Sequence, residues 1–148
     1  MSFVPYIHFN GNAREAMQFY ADVFGANDLE ISNYSAAPAE LGMPSSDAVL
    51  HSQMTVGGQM LMAADAMPGA EYRAQASVSI SHAVQSFEVG TGIFDRLADG
   101  GGIVMPFAPT FFTPGFGMCK DKFGTHWMIN VIADSVALIF PWETGKSF

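Results

Sequence analysis

A chain of 148 residues with 49% hydrophobic and only 14% charged residues can bury roughly 70% of its unfolded surface, and it holds more apolar surface than one monomer comfortably hides, so a dimer or an apolar cavity is expected. A formal net charge of −8 with six Lys plus Arg excludes nucleic-acid binding through clustered cations. The single Cys119 excludes an intrachain disulfide, Met1-Ser2-Phe3-Val4-Pro5 lacks the marks of a signal peptide, and Asn130 and Asp134 interrupt the most apolar stretch, so the expectation is a cytoplasmic protein with no membrane span.

The segment Phe3 to Phe9 is β-rich and ends at Asn10-Gly11-Asn12. Asn12 followed by Glu15 predicts a helix opened by a capping box. Ala16, Phe19, Tyr20, Val23 and Phe24 then recur at helical spacing, and Gly25 supplies the left-handed stop. A strand from Leu29 to Tyr34 precedes a Pro/Ser/Ala/Gly loop from Ser35 to Asp47, a candidate lid. Ala48 to Val56 and Gln59 to Ala64 flank Gly57-Gly58, which predicts a hairpin with a two-residue turn. After the loop Asp65 to Gln75 the order begins again: a strand from Ser77 to Val84, a helix ending near Asp99 and weakened by Gly90 and Gly92, and a stop at Gly100-Gly101-Gly102. Strands follow around 103–107, 115–120 and 125–132.

A helix follows only the first strand of each half, which disfavours a doubly wound parallel sheet. The expected fold is α+β: two tandem βαβββ modules, at about 3–68 and 76–133, forming facing, mostly antiparallel half-sheets within a single domain, with a C-terminal tail at 134–148.

Several blocks carry a resemblance across nearly the whole chain. They are Pro5-Tyr6-Ile7-x-Phe9-x-Gly11-Asn12, Ala16-Met17-x-Phe19-Tyr20, His51 and Asp65-Ala66-Met67-Pro68, then Thr110-Phe111, Gly115-Phe116-Gly117 and Asp121-Lys122-Phe123-Gly124-x-x-Trp127-Met128-Ile129-Asn130. Together these resemble PhnB-like proteins of the vicinal-oxygen-chelate (glyoxalase/bleomycin-resistance) superfamily. The resemblance implies the paired βαβββ fold, a homodimer, and a ligand cavity on the concave face of each half-sheet. It does not imply one reaction, because the fold serves isomerases, dioxygenases, thiol transferases and drug-binding proteins. Pro109 stands where a Glu usually precedes Thr-Phe, and Phe112 where Trp is common.

Metal-binding relatives carry a His or Gln on the first strand of each half and a Glu on the last. Counting back from Phe19-Tyr20 places the first position on Pro5 and its second-half equivalent near Ser79. The terminal positions fall near Met62 and on Met128. Thioethers do not replace carboxylates for hard cations, so no metal or other cofactor is expected. The alternative is a divalent ion recruited by His51 with Asp47 or Asp65.

Strand alternation ranks the histidines. If Gly57-Gly58 is the turn, Gln53 opposes Met62 and His51 opposes Ala64, so His51 and Gln53 share the cavity face with Met62. His126, Met128 and Asn130 share a face in the last strand. His8 is read as pointing beneath the first helix, in alternation with Pro5, Ile7 and Phe9, and His82 as lying on the helix side. Ordinary imidazole titrates at about 6.5, which makes His51 the candidate acid/base or ligand anchor, set against the plain reading of a hydrogen-bonded pocket-wall histidine. Cys119 alternates with Met118 and Lys120 and reads as buried and inert. Phosphate-loop, nucleophile-elbow and His-Glu-x-x-His patterns do not occur.

Phe111 and Phe112 lie among Pro106, Pro109 and Pro114, which break regular pairing and expose a loop. The expected ligand site is therefore His51, Gln53, Met62, Phe111, Phe112, His126, Met128 and Asn130. They would hold a modest apolar or amphipathic small molecule, with His51 as the one catalytic candidate under an enzyme reading.

Overall fold

The computed structural model describes residues 2–43 and 45–132; the C-terminal tail at 134–148 lies outside them. The chain divides after Gln75 into two units. The first contains β1 (Tyr6–Phe9), α1 (Ala13–Phe24), β2 (Glu30–Asn33), β3 (Val49–Val56) and β4 (Gln59–Asp65). The second contains β5 (Ile80–Val84), α2 (Phe87–Ala98), β6 (Gly102–Ala108), β7 (Phe116–Lys120) and β8 (His126–Val131). Each unit is thus βαβββ, and the fold is α+β. The sheets have the orders β1-β4-β3-β2 and β5-β8-β7-β6. The first and last strands of each unit pair in parallel and the remaining pairs are antiparallel. Among the described residues no helix is long and apolar enough to cross a membrane.

In the first unit α1 buries Ala13, Ala16, Met17, Tyr20 and Val23, while Ile7, Phe9, Met54, Leu61 and Ala63 are the buried strand residues. Gly25 ends α1 at φ 72°, where a left-handed residue without Cβ strain is needed. The start of α1 differs from the sequence expectation. Asn12 has φ −115°, ψ 17° and makes no side-chain cap bond. Instead Asp65, from the end of β4, accepts the Gly11 and Ala13 N–H groups on Oδ1 at 2.8 and 3.0 Å. A carboxylate at this end of the helix satisfies an orphan donor and the positive end of the dipole together.

The turn at Gly57-Gly58, with φ 56° and 80°, locks the β3–β4 ladder from Val56↔Gln59 to Ser52↔Ala63 and places Gln53 opposite Met62, as the two-residue turn predicts. On the β2 side the register slips: Ser32 pairs with His51 but Asn33 with Val49. Leu50 is therefore an inserted bulge residue. The bulge turns Val49 into the core, where it is 1% exposed and its N–H meets Asp65 Oδ2 at 2.8 Å.

In the second unit the Ser86 side chain caps α2 through the Val89 N–H at 3.2 Å. Gly90, which weakens the helix locally, is required by packing: a Cβ there would lie 2.5 Å from Phe107 Cζ. At Gly117 a Cβ would lie 2.8 Å from the Phe107 Cα. Phe107 occupies this glycine-lined slot against Phe87 and Phe94, with centroids at 5.0 and 5.8 Å.

Candidate functional site

The face of the first sheet turned away from α1 is set by three ladders. One row runs Tyr6, Met62, Gln53, Glu30 across the four strands, and the next brings His8 opposite Ala64 and Ser32 opposite His51. Directly paired residues share a face. His8 therefore lies on the His51 face and not beneath α1. The phase of β1 is one residue from the sequence reading, because Ile7 and Phe9 are the buried pair (6% and 0% exposed) and Tyr6 and His8 alternate with them.

His51 makes a hydrogen bond at each ring nitrogen. Nδ1 lies 2.9 Å from the Tyr6 hydroxyl and Nε2 3.0 Å from Gln53 Oε1. Tyr6 lies between the two imidazoles, its ring centroid 5.2 Å from that of His8 and 5.7 Å from that of His51. Burial, and then the neighbouring Tyr34, push the Tyr6 phenol above its ordinary pKa, which keeps it a neutral hydrogen-bonding group.

Tyr6 continues into the wall of a pocket of about 440 Å³ whose lining includes His8, Tyr34, Leu50, Asp65 and Met67. The bulge delivers Leu50 to it. The Tyr34 hydroxyl donates to the Asp65 carbonyl at 3.0 Å. Tyr6, His8, Tyr34, Leu50 and Met67 are absent from the sequence-derived site. The apolar Ile7/Phe9 alternation carries the signal for Tyr6 and His8, since a half-buried strand puts its polar residues on the other face. Nothing local marks Leu50 or Tyr34.

Of the sequence-derived residues, His51, Gln53 and Met62 come together in the first unit. In the second unit Met128 pairs with Met118 and Ser81, Asn130 with Phe116 and Ala83, and His126 with Lys120. His126, Met128 and Asn130 therefore share the face of their sheet turned away from Trp127 and Ile129, which are buried. Phe112 meets Phe116 edge-on at 5.3 Å, and Phe111, fully exposed, leans on Phe112 at 5.1 Å. His82 pairs with Ile129 on the opposite face, and burial lowers its pKa. Cys119 is 1% exposed, its thiol pushed up to about 11 by burial and by Asp121.

In the register Tyr6 opposes Met62 in the first unit, and Ser81 opposes Met128 in the second. Neither pair, a hydroxyl beside a thioether, offers the carboxylate or imidazole donors that a hard cation takes. Asp65 is equally unsuited to serve with His51 as an alternative ligand. It is 3% exposed, and its two oxygens already accept three backbone N–H groups.

Residues 1–130 match the 3-demethylubiquinone-9 3-methyltransferase family. The chain belongs to this PhnB-like family. Protein YjdN of Escherichia coli K12 is 35% identical over 144 residues, spanning 89% of this chain and 96% of its own. Protein PA1353 of Pseudomonas aeruginosa is 37% identical, with 90% of this chain and 99% of that one covered and a TM-score of 0.82. The putative 3-demethylubiquinone-9 3-methyltransferase, PhnB protein, of Bacillus cereus is 26% identical over 89% of this chain and all of its own, at a TM-score of 0.73. The fosfomycin resistance protein FosX of Listeria monocytogenes, 14% identical with a TM-score of 0.60 over 94% of this chain and 96% of its own, shares the fold alone. The PhnB-like chain therefore has a glyoxalase/bleomycin-resistance-type fold.

Proposed function

We propose that this PhnB-like chain is a small-molecule-binding protein, working in the cytoplasm as a homodimer and without a metal cofactor, with its ligand anchored on the His51 face of the first sheet. The observation that carries this reading is the Tyr6–His51–Gln53 hydrogen-bonded row, which runs from the middle of the sheet into the wall of a pocket of about 440 Å³. A few fixed polar groups beside Leu50, Ala64 and Met67 have the composition of a ligand pocket. The second unit repeats the theme, with Asn130 beside Met128, Met118 and Phe116, and His126, Phe111 and Phe112 are carried in the proposal as its outer residues. The exposed Ile103, Val104 and Met105 on the edge strand β6 support a second copy as partner. The test is native mass spectrometry and calorimetry on the purified full chain. Saturable binding that survives chelation and weakens at least about tenfold, or 1.4 kcal/mol, in His51→Ala is expected. Unchanged affinity in that variant removes His51 from the site.

One feature favours an enzyme as the second reading. His51 is oriented at one nitrogen by Gln53 and linked at the other to the hydroxyl of Tyr6, a residue of the pocket wall, the arrangement of an acid/base residue with its orienting partner. Methyl transfer, named in the family's description, is the first activity to assay. Turnover lost in both His51→Ala and Tyr6→Phe supports this reading, and turnover unchanged in both removes it.

A further inference from the structure

Building on the first-unit pocket as a ligand site, we propose that it takes an organic ammonium: a primary or methylated amine on a small apolar body. The direction of its hydrogen bonds carries the argument. Both tyrosine hydroxyls in the wall have already given away their hydrogens. Tyr34 donates to the Asp65 carbonyl at 3.0 Å. Gln53 Oε1 can only accept, so His51 Nε2 carries the ring proton, Nδ1 presents its lone pair, and Tyr6 donates to it at 2.9 Å. Neither hydroxyl thus has a hydrogen left to give, and what these two wall residues can offer a ligand is a lone pair or a ring face, which calls for a donor or a cation.

Charge points the same way. Asp65 places a carboxylate behind the wall, on the Phe9 side of β4, and its partners are the neutral N–H groups of Gly11, Ala13 and Val49. The amino end of α1 offsets about half a unit of that charge. No Lys or Arg belongs to the lining, and Arg14, at the start of α1, directs its guanidinium to Asn33 Oδ1. The chain as a whole carries −8, so approach of a cation is favoured. The Tyr6 and Tyr34 rings add faces whose quadrupoles attract a cation, methylated ones included. Leu50, Ala64 and Met67 suit its apolar body. An anion would find His8 as the one side chain of the lining with a donor still to offer.

The test compares three probes of nearly equal shape on the full-length protein by amide NMR titration: choline, the neutral 3,3-dimethylbutan-1-ol and the anionic 3,3-dimethylbutanoate. Choline is expected to shift the amide signals of Ala64, Ala66 and Met67 and to bind about tenfold more tightly than the alcohol, with the carboxylate weakest. Tyr6→Leu, a change at an exposed position, is expected to remove most of choline's advantage. Equal or tighter binding of the alcohol or the carboxylate at those amides overturns the ammonium assignment and leaves the pocket as a ligand site. Absence of shifts at those amides with all three probes overturns both.

Discussion

The Tyr6 hydroxyl lies 2.9 Å from His51 Nδ1, so a β1 residue is joined to a β3 imidazole across β4. Gln53 Oε1, 3.0 Å from Nε2, accepts and cannot donate. The neutral ring must therefore be the Nε2–H tautomer. Long-range ¹⁵N NMR on the neutral ring is expected to find Nδ1 unprotonated in the native protein, and Tyr6→Phe to change the Nδ1 environment while shifting the unfolding free energy by less than about 1 kcal/mol, because the pair is partly exposed. A predominant Nδ1–H tautomer would refute the network.

Asp65 joins three segments far apart in the chain: the turn before α1, the helix itself and the bulged start of β3. Its removal leaves buried N–H groups with no acceptor, each expensive away from water. Asp65→Ala is expected to lower the unfolding free energy by about 3 kcal/mol. Asn12→Ala, at the nominal cap whose side chain makes no cap bond, should cost less than about 0.5 kcal/mol. Chemical denaturation of both variants checks the pair, and similar losses in the two would show that the helix cap is local after all.

That contrast explains what the sequence could and could not reveal. The β3–β4 hairpin and α1 were legible because each is specified locally, by Gly57-Gly58 and by the spacing of Ala16, Tyr20 and Val23. The register followed, and with it the shared face of Gln53 and Met62. The phase of β1 was misjudged because the count back from Phe19-Tyr20 crosses the turn at Asn10–Asn12, and a one-residue change in such a turn reverses every side chain of the strand. His8 was misplaced for that reason. The pocket was illegible because it depends on a bulge at Leu50 and on the Asp65 contacts with Ala13 and Val49, 52 and 16 residues away.

Cys119 tests the second unit's core. Its strand position opposite Trp127, its 1% exposure and a thiol pushed up to about 11 by burial and by Asp121 leave it neutral and covered near neutral pH. A thiol reagent at about pH 8 should label the folded protein at least about a hundredfold more slowly than the denatured chain. Labelling within a few-fold of the denatured rate would mean that β7 opens readily.

His82 makes the same unit sensitive to acid. Paired with Ile129 on the buried side of β5, it has its pKa lowered by burial, so the native state holds it neutral while the unfolded chain takes up the proton at higher pH. The unfolded state then binds more protons between the two values, and stability rises with pH across that interval. The contribution is complete above the unfolded value of about 6.5 and is lost as pH falls through the interval toward the lower folded value. Unfolding free energy measured from about pH 7 to pH 5 should decline more steeply in the native protein than in His82→Gln, which has no proton to gain. Parallel curves for the two proteins would mean that the proton enters His82 without disturbing the packing against Ile129.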